Sequence, residues 1–373
     1  MPSVEEIYAQ LALVEDPEIH RPITELGMVK SVKLDGAHAV IEVFLTIKSC
    51  PMKGTIQDRV MKKVSELDGI DSVTVELDVM SNEQREALKL KLRGPEPEIP
   101  FNRPNSRTRI FAIASGKGGV GKSSLTANLA ATFETRGLKV GIIDADIYGH
   151  SIPRIMGLQT EETVIDPDLR IPPTAHGVKV LSVSSMKGPD KNRPIAMRGP
   201  MLGKFLTQFL TDFFWGDLDI LLLDLPPGTG DIAISLGQLL PIANIVVVTT
   251  PQIAASEVAI RAGMMATLIS QNVVGVIENM SYSICEHCNE KTLLFGSGGG
   301  EVVSAELSKE LSTDVPLLGQ VPFMQDVLTA GDDGNVITSF AETHPVRMVL
   351  DQIADQLLKK TSLAQQSLLG AQK

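Results

Sequence analysis

The chain has 373 residues, 43% hydrophobic and 21% charged, the balance of a globular protein long enough for two domains and a sizeable core. Acidic residues outnumber basic ones, 45 to 34, and the net charge of −11 argues against sequence-independent nucleic-acid binding as the main task. No apolar run approaches the ~20 residues of a membrane-spanning helix. The acidic opening MPSVEEIYAQ has no signal-peptide pattern. Three cysteines are too few for a disulfide framework, so a cytoplasmic protein with reduced thiols and no membrane partner is expected.

Residues 3–14 read as a short helix: Ser3 and Glu6 have capping-box spacing, and Val4, Ile7, Leu11 and Val14 share one side. HAVIEVFLTI (38–47) alternates like a half-buried strand, as does IDSVTVEL (70–77), with amphipathic stretches at 55–67 and 83–92. Together these predict a small α+β domain over 1–93. GPEPEIPFNRPNSRT (94–108) is proline-rich and aperiodic, which predicts a linker. From 109 to 360 strands and helices alternate. The strands are expected at 110–114, 138–143, 178–184, 219–224, 244–249, 273–277 and 315–319. Runs such as ILLLDL and NIVVVTT are apolar on both faces. The pattern predicts an α/β, doubly wound, mostly parallel sheet with ligands at the strand C-termini. The stretch 361–373 is expected to fray.

The most informative segment is IFAIASGKGGVGKSS (110–124). An apolar strand, a G-x-x-x-x-G-K-S turn and a helix carrying Leu125, Leu129 and Phe133 follow one another, which is the context of a phosphate loop. Glycines let several backbone N–H groups converge on one anion, and the helix adds its positive end. Lys122 would reach the β- and γ-phosphates, and Ser123 would hold Mg²⁺. A second lysine, Lys117, is not needed by its own loop. Lent across a dimer interface, it would act like an arginine finger on a neighbour's γ-phosphate.

Further acids gather on the same rim. Asp144 and Asp146 follow the strand LKVGIID, and Asp224 ends ILLLD before the stiff turn PPG (226–228). Carboxylates at these places can hold a Mg²⁺-bound water or orient an attacking one. Farther on, Cys285 and Cys288 form C-x-x-C in the polar stretch SICEHCNEKT. Alone, the pair fits half a zinc site, a redox couple or part of a cluster site. A closed zinc or [4Fe–4S] site takes four ligands, and a twofold dimer would double two thiolates to four. GSGGG (296–300) reads as a flexible turn before a helix at 301–311, and His20, His38, His176 and His344 read as scattered surface or core residues.

GKGGVGKS resembles the deviant phosphate-loop ATPases, the group of MinD, ParA, ArsA and nitrogenase iron protein, in which the lysine matching Lys117 acts in trans within a nucleotide-sandwich dimer. DPEI (16–19), LGMV (26–29) and LTIKSCPM (45–52) resemble the small N-terminal domain of iron–sulfur assembly proteins, with Cys50 at its cysteine position. With DADIYGHSIP, RGPM, DLPPGTGD, TTPQ, ENMSY and the C-x-x-C, nearly the whole chain is similar to the Mrp/ApbC iron–sulfur cluster carriers. His150 stands where that family has proline.

The resemblance implies a homodimeric ATPase that carries a [4Fe–4S] cluster on Cys285 and Cys288 and passes it to apo client proteins. It places ATP on Gly116, Lys117, Gly118, Gly119, Val120, Gly121, Lys122, Ser123 and Ser124. Asn279 would meet the adenine ring, LGQVPF (318–323) would flank the base, Ser123, Asp144 and Asp224 would attend Mg²⁺, and Lys117, Lys122 and Asp146 would serve hydrolysis. Three other readings use the same motifs: a MinD- or ParA-like spatial organiser, a zinc-stabilised regulatory dimer and an electron-donating reductase. The first is disfavoured by the polar last residues, which lack a basic amphipathic helix.

Overall fold

A computed structural model describes residues 2–47, 52–93, 98–146, 151–166, 169–182, 199–228, 231–269, 271–285 and 287–361. Cys50, His150, Arg198 of RGPM, residues 94–97 of the stretch read as linker and the tail 362–373 lie outside the described residues. The chain forms two units, Met1–Glu98 with Glu162–Pro172 and Thr211–Gly216, and the remainder from Ile99 to Lys373.

In the first unit α1 (Val4–Leu11) carries the expected capping box: Ser3 Oγ accepts from the Glu6 N–H, and the Glu6 carboxylate accepts from the Ser3 N–H. β1 (Val29–Asp35), β2 (His38–Leu45) and β3 (Ser72–Val79) form a sheet, with α2 (Lys53–Ser65) between β2 and β3 and α3 (Asn82–Arg93) after them. β2 alternates strictly, burying Ala39, Ile41, Val43 and Leu45 with Ile56, Val60 and Val64 of α2. Near the start of the unit Asp16 is buried, and its carboxylate accepts from the N–H groups of Glu18 and Ile19, closing the DPEI turn.

The second unit opens with Phe101 buried and Thr108 donating to the Leu218 carbonyl, so the later part of the stretch read as linker is packed. β4 (Arg109–Ser115), α4 (Lys122–Glu134), β5 (Val140–Asp144) and α5 (Ile152–Ile155) follow. The chain then supplies β6 (Thr163–Asp166) and β7 (Leu169–Ile171), a hairpin belonging to the first unit. Its Ile165, Leu169 and Ile171 join the core of α1, β2 and α2, and Asp166 accepts from Lys89 of α3 at 3.0 Å. Both returning segments fall inside the range 109–360.

The sheet resumes with β8 (Thr174–Ala175), β9 (Val178–Ser182), α6 (Gly199–Thr211), β10 (Ile220–Asp224) and α7 (Asp231–Leu239). β11 (Asn244–Thr249), α8 (Ile253–Leu268), β12 (Asn272–Ile284) and β13 (Lys291–Thr292) come next. α9 (Gly299–Leu311), β14 (Leu317–Phe323), α10 (Gln325–Asp332) and α11 (Pro345–Lys360) complete it. The order is β13-β12-β11-β4-β10-β5-β9-β8, with β14 also paired to β12. All pairings are parallel except those of β13 and β8. The seven expected strands are all present, and the fold is the doubly wound α/β sheet.

β10 and β11 are buried at every position, as continuous apolar runs require. α4 is buried nearly all round, so it lacks a polar face, and its Phe133 stacks on Phe111 of β4. From β4 the chain steps outward to β5 and β9 on one side and to β11 and β12 on the other. That reversal puts the crevice for a ligand at the C-terminal ends of β4 and β10.

A nucleotide site and a cysteine hairpin on one sheet

The turn between β4 and α4 needs its glycines for separate reasons. Gly119 and Gly121 have φ of 80° and 79°, the left-handed region that side chains disfavour. Gly116 instead lies against α8: a Cβ there would sit 2.3 Å from the Val258 carbonyl carbon and 2.5 Å from the Ala259 nitrogen. The turn is pinned at the other end by the Gly228 N–H, which donates to the Ser115 carbonyl at 2.8 Å. This bond ties the PPG turn after β10 to the start of the phosphate loop.

Beneath the loop a buried polar cluster centres on Asp224. Lys122 Nζ donates to Oδ1 at 2.7 Å, Ser123 Oγ to Oδ2 at 2.6 Å and Thr126 Oγ1 to Oδ1 at 3.0 Å. Register places Asp144 directly beside Asp224 on neighbouring strands. Asp144 accepts from Ser182 Oγ and from the Asp146 N–H, both at 3.1 Å. Burial, and next the Asp224 carboxylate, push Asp144 up to about 7. Burial also pushes Asp224 upward, while the Lys122 ammonium and the Ser123 and Thr126 hydroxyls pull it back. Two carboxyls, a lysine and hydroxyls at the head of a helix form an oxygen-rich site suited to a hard divalent cation beside a phosphate.

The remaining residues singled out from sequence fall around this cluster. Lys117 donates to Gln252 Oε1 at 3.0 Å, away from the Asp224 cluster that holds Lys122. Asp146 is buried two residues beyond the end of β5. Asn279 on β12 is buried, and its Nδ2 donates to the Val120 carbonyl at 2.9 Å. A Cβ on Gly121 would meet that same nitrogen at 2.3 Å. Thr126, Ser182 and Gln252 went unread. Thr126 shows one signal, its position four residues after Lys122 on the same helix face. Gln252 sits in TTPQ, where nothing in its spacing announces a lysine partner 135 residues away.

The cysteines stand at the far end of β12. This strand was expected to stop at 277 and instead runs to Ile284, because Met280 takes a left-handed φ of 57° and the chain re-pairs beyond it. Ser283 pairs with Thr292 and Ile284 with Lys291, making β12 and β13 a hairpin. The stretch read as a polar loop is the tip of that hairpin. It is closed by the Cys285 N–H donating to the Glu290 carbonyl and the Asn289 N–H to the Cys285 carbonyl. Cys285 is half-buried and Cys288 exposed, and Lys291 lies 4.1 Å over the Tyr282 ring at the hairpin's foot. Among the described residues no group of three or more His, Cys, Asp or Glu side chains could hold a metal ion.

The glycine run turns into α9 at Gly296–Gly298, as expected, and its last two glycines belong to the helix. The helix begins at Gly299, and its Gly300 N–H donates to the buried Glu278 carboxylate at 2.6 Å. Glu278 also accepts from Ser281 at 2.7 Å and Gln320 at 3.0 Å. The protein's own carboxylate therefore occupies the helix N-terminus.

Comparison with known proteins agrees with this geometry. Residues 106–358 match the family described as ParA, NUBPL iron-transfer P-loop NTPase, and residues 4–77 match an iron–sulfur cluster assembly protein domain. A curated relative from Mycobacterium leprae, named iron–sulfur cluster carrier protein, is 52% identical over 93% of this chain and 90% of its own length. A protein of the same name from Bacillus subtilis is 36% identical over 96% of this chain and 98% of its own. Among solved structures, a nucleotide-binding protein from Archaeoglobus fulgidus in complex with ADP is 35% identical, with a TM-score of 0.50 over 61% of this chain and 87% of that one. Phosphate loop, cysteine hairpin and N-terminal unit together make this chain a member of the iron–sulfur cluster carrier family of ParA-type P-loop NTPases.

Proposed function

We propose that the chain binds and hydrolyses ATP with Mg²⁺ at Gly116–Ser124 and carries a [4Fe–4S] cluster between Cys285 and Cys288 of two copies. The cluster is cargo, handed to apoproteins in the cytoplasm. The observation that carries this reading is the hairpin tip: two soft thiol ligands stand within one turn, outside any cluster of three ligands among the described residues. Two copies related by a twofold axis would supply four thiolates. The Archaeoglobus relative's bound ADP supports a nucleotide at the matching loop.

Each residue has a role in this proposal. Lys122 leaves Asp224 for the phosphates, and Ser123, Asp144 and Asp224 offer hard oxygen donors to Mg²⁺. Asp146 orients the attacking water. Lys117, resting on Gln252, is lent to the partner's γ-phosphate. Asn279 spends its nitrogen on Val120, which leaves its carbonyl oxygen for the adenine amino group. The first unit, residues 1–98 with the returning segments 162–172 and 211–216, acts as the assembly domain, and the rest of the chain as the ATPase.

Anaerobic reconstitution with iron and sulfide tests the proposal. Four irons per dimer, visible absorption lost in Cys285→Ala/Cys288→Ala, and transfer to an apo acceptor are expected. A wild-type protein that takes up no iron would sink it.

A further inference from the structure

α5 and α10, each next in the chain to a segment assigned to the nucleotide, end against each other. α5 follows Asp146, and α10 follows β14, which carries LGQVPF. Both helices stop in the same way. The Leu158 N–H donates to the Pro153 carbonyl at 2.8 Å and the Gly157 N–H to the Arg154 carbonyl at 3.0 Å. The Asn335 N–H donates to the Ala330 carbonyl at 2.8 Å and the Gly334 N–H to the Gly331 carbonyl at 3.3 Å. These paired bonds make a Schellman ending with a left-handed glycine, φ being 56° at Gly157 and 76° at Gly334. The two glycines then face one another. A Cβ on Gly157 would sit 2.7 Å from the Gly334 carbonyl oxygen, and a Cβ on Gly334 would sit 2.6 Å from the Gly157 Cα. The left-handed turn alone would accept an asparagine. Backbone lying on backbone leaves room for no side chain. Two exposed clips flank the pair: His176 Nε2 donates to the Gly334 carbonyl at 3.0 Å, and Arg154 meets Asp332 at 3.1 Å.

The glycine pair is anchored to the phosphate loop. Just after Gly334 the Ile337 N–H donates to Asn128 Oδ1 at 2.6 Å. Asn128 stands on α4, and its Nδ2 donates back to the Ser124 carbonyl at 2.8 Å. Ile152 and Met156 of α5 are fully buried in the core that holds Leu125, Leu129 and Ile337. Asp146 is therefore held from both directions. Ahead of it, its own N–H bonds Asp144 on β5. Behind it, α5 is fixed to α4 through the glycines. A group that orients an attacking water loses its effect when its carrier shifts by about 1 Å. We propose that Gly157 and Gly334 form a positioning latch for ATP hydrolysis, fixing the far end of the segment that carries Asp146 relative to the phosphate loop. The glycines act through Asp146 and not on the nucleotide. The latch rests on the hydrolysis reading for its effect on rate and on the backbone contact alone for its effect on α5.

The test uses the full chain with Gly157→Ala and Gly334→Ala, singly, and Gly137→Ala as a control. Gly137 is also left-handed, with φ of 77°, but a Cβ there meets nothing within 4 Å. Its variant shares the backbone strain without the collision. ATPase rate, ATP affinity and amide exchange over residues 152–158 are measured for each. Both latch variants are expected to lose about 10-fold or more in kcat, to keep ATP affinity within about twofold and to exchange their α5 amides faster. Gly137→Ala should match wild type in rate and exchange. His176→Ala/Arg154→Ala removes the clips and leaves both glycines. It should fold, lose about 3-fold in kcat and also speed α5 exchange, so it carries the test if the glycine variants do not fold. Wild-type kcat in folded latch variants, an equal loss in Gly137→Ala, or wild-type rate and exchange in the clip variant would overturn the latch. An active wild type whose latch variants keep their rate sinks the latch and leaves hydrolysis standing. A wild type that hydrolyses no ATP sinks the hydrolysis reading and the rate effect with it, while faster α5 exchange in the same variants would still uphold the contact.

Discussion

The phosphate loop, which β12 touches through Asn279 and Val120, and the cysteine hairpin at the end of that strand are built on opposite principles. Around Asp224 both carboxylate oxygens are hydrogen-bonded, the strands are buried, and Gly116 lies hard against the backbone of α8. At the hairpin, residues 287–297 are exposed and the tip is held by a few backbone bonds. The first site is over-determined within one chain, as a preorganised electrostatic site must be. The second holds two thiols, one of them exposed, where another molecule can reach them, as the proposed carrier role requires.

Asp224→Ala should have the largest effect on this contrast. It strips the partner from a lysine with 6% side-chain exposure and from the Ser123 hydroxyl, while Thr126 keeps the Lys122 carbonyl. A loss of about 3 kcal/mol or more is expected, read as a lower denaturant midpoint, with nucleotide binding abolished. Gly116→Ala comes next. Its methyl would collide with the backbone of α8 and not with a side chain that could turn aside. About 2 kcal/mol of stability should go, together with nucleotide affinity. Wild-type stability in either variant would mean that the phosphate end is looser than its contacts suggest.

The phosphate loop was legible because its motif is local: spacing along the chain dictates the turn, and flanking apolar runs dictate strand and helix. What stayed hidden depends on contacts distant in sequence. Nothing in the sequence marks Glu278 as a buried helix cap until the start of α9 is laid against it. β12 seemed to end at Ile277 because the residues beyond are mixed in polarity, and the left-handed Met280 that lets pairing resume is a conformation methionine rarely announces. The β6–β7 hairpin looks like any short excursion of the ATPase. Its place in the first unit follows from Ile165, Leu169 and Ile171 finding that unit's core.

A pH series probes the same buried end with a smaller effect. Asp144 is pushed from its ordinary 3.8 up to about 7 by burial and by Asp224. In that window the folded chain holds a proton that the unfolded chain has released, so stability falls as pH rises through it and levels off above pH 7. Asp144→Asn removes this titration while retaining an acceptor for Ser182 or the Asp146 N–H. In nucleotide-free protein the variant should gain about 1–2 kcal/mol on wild type between the two ends of the window, measured as the difference in melting temperature. Parallel pH profiles would mean that Asp144 stays charged, through water or Lys122, despite its burial.

The smallest expected effect on stability falls on the cysteines, and it sharpens the contrast most. Cys285→Ser/Cys288→Ser changes two atoms on a hairpin tip whose closing bonds are backbone to backbone. Cys288 Sγ donates to the Glu290 carboxylate at 3.8 Å, a weak and exposed bond that a serine hydroxyl can replace. Cluster-free protein should therefore melt within about 0.5 kcal/mol of wild type, and its nucleotide affinity should not move. The reconstituted variant should hold no iron. If the serine variant unfolds several degrees earlier before any cluster is loaded, the tip is part of the sheet's support. Cluster loading and sheet stability would then be one equilibrium, and the division between a rigid nucleotide end and a detachable sulfur end would fail. If stability holds and iron is lost, the free energy of cluster binding stays at the tip, available to whichever protein can match its thiolates.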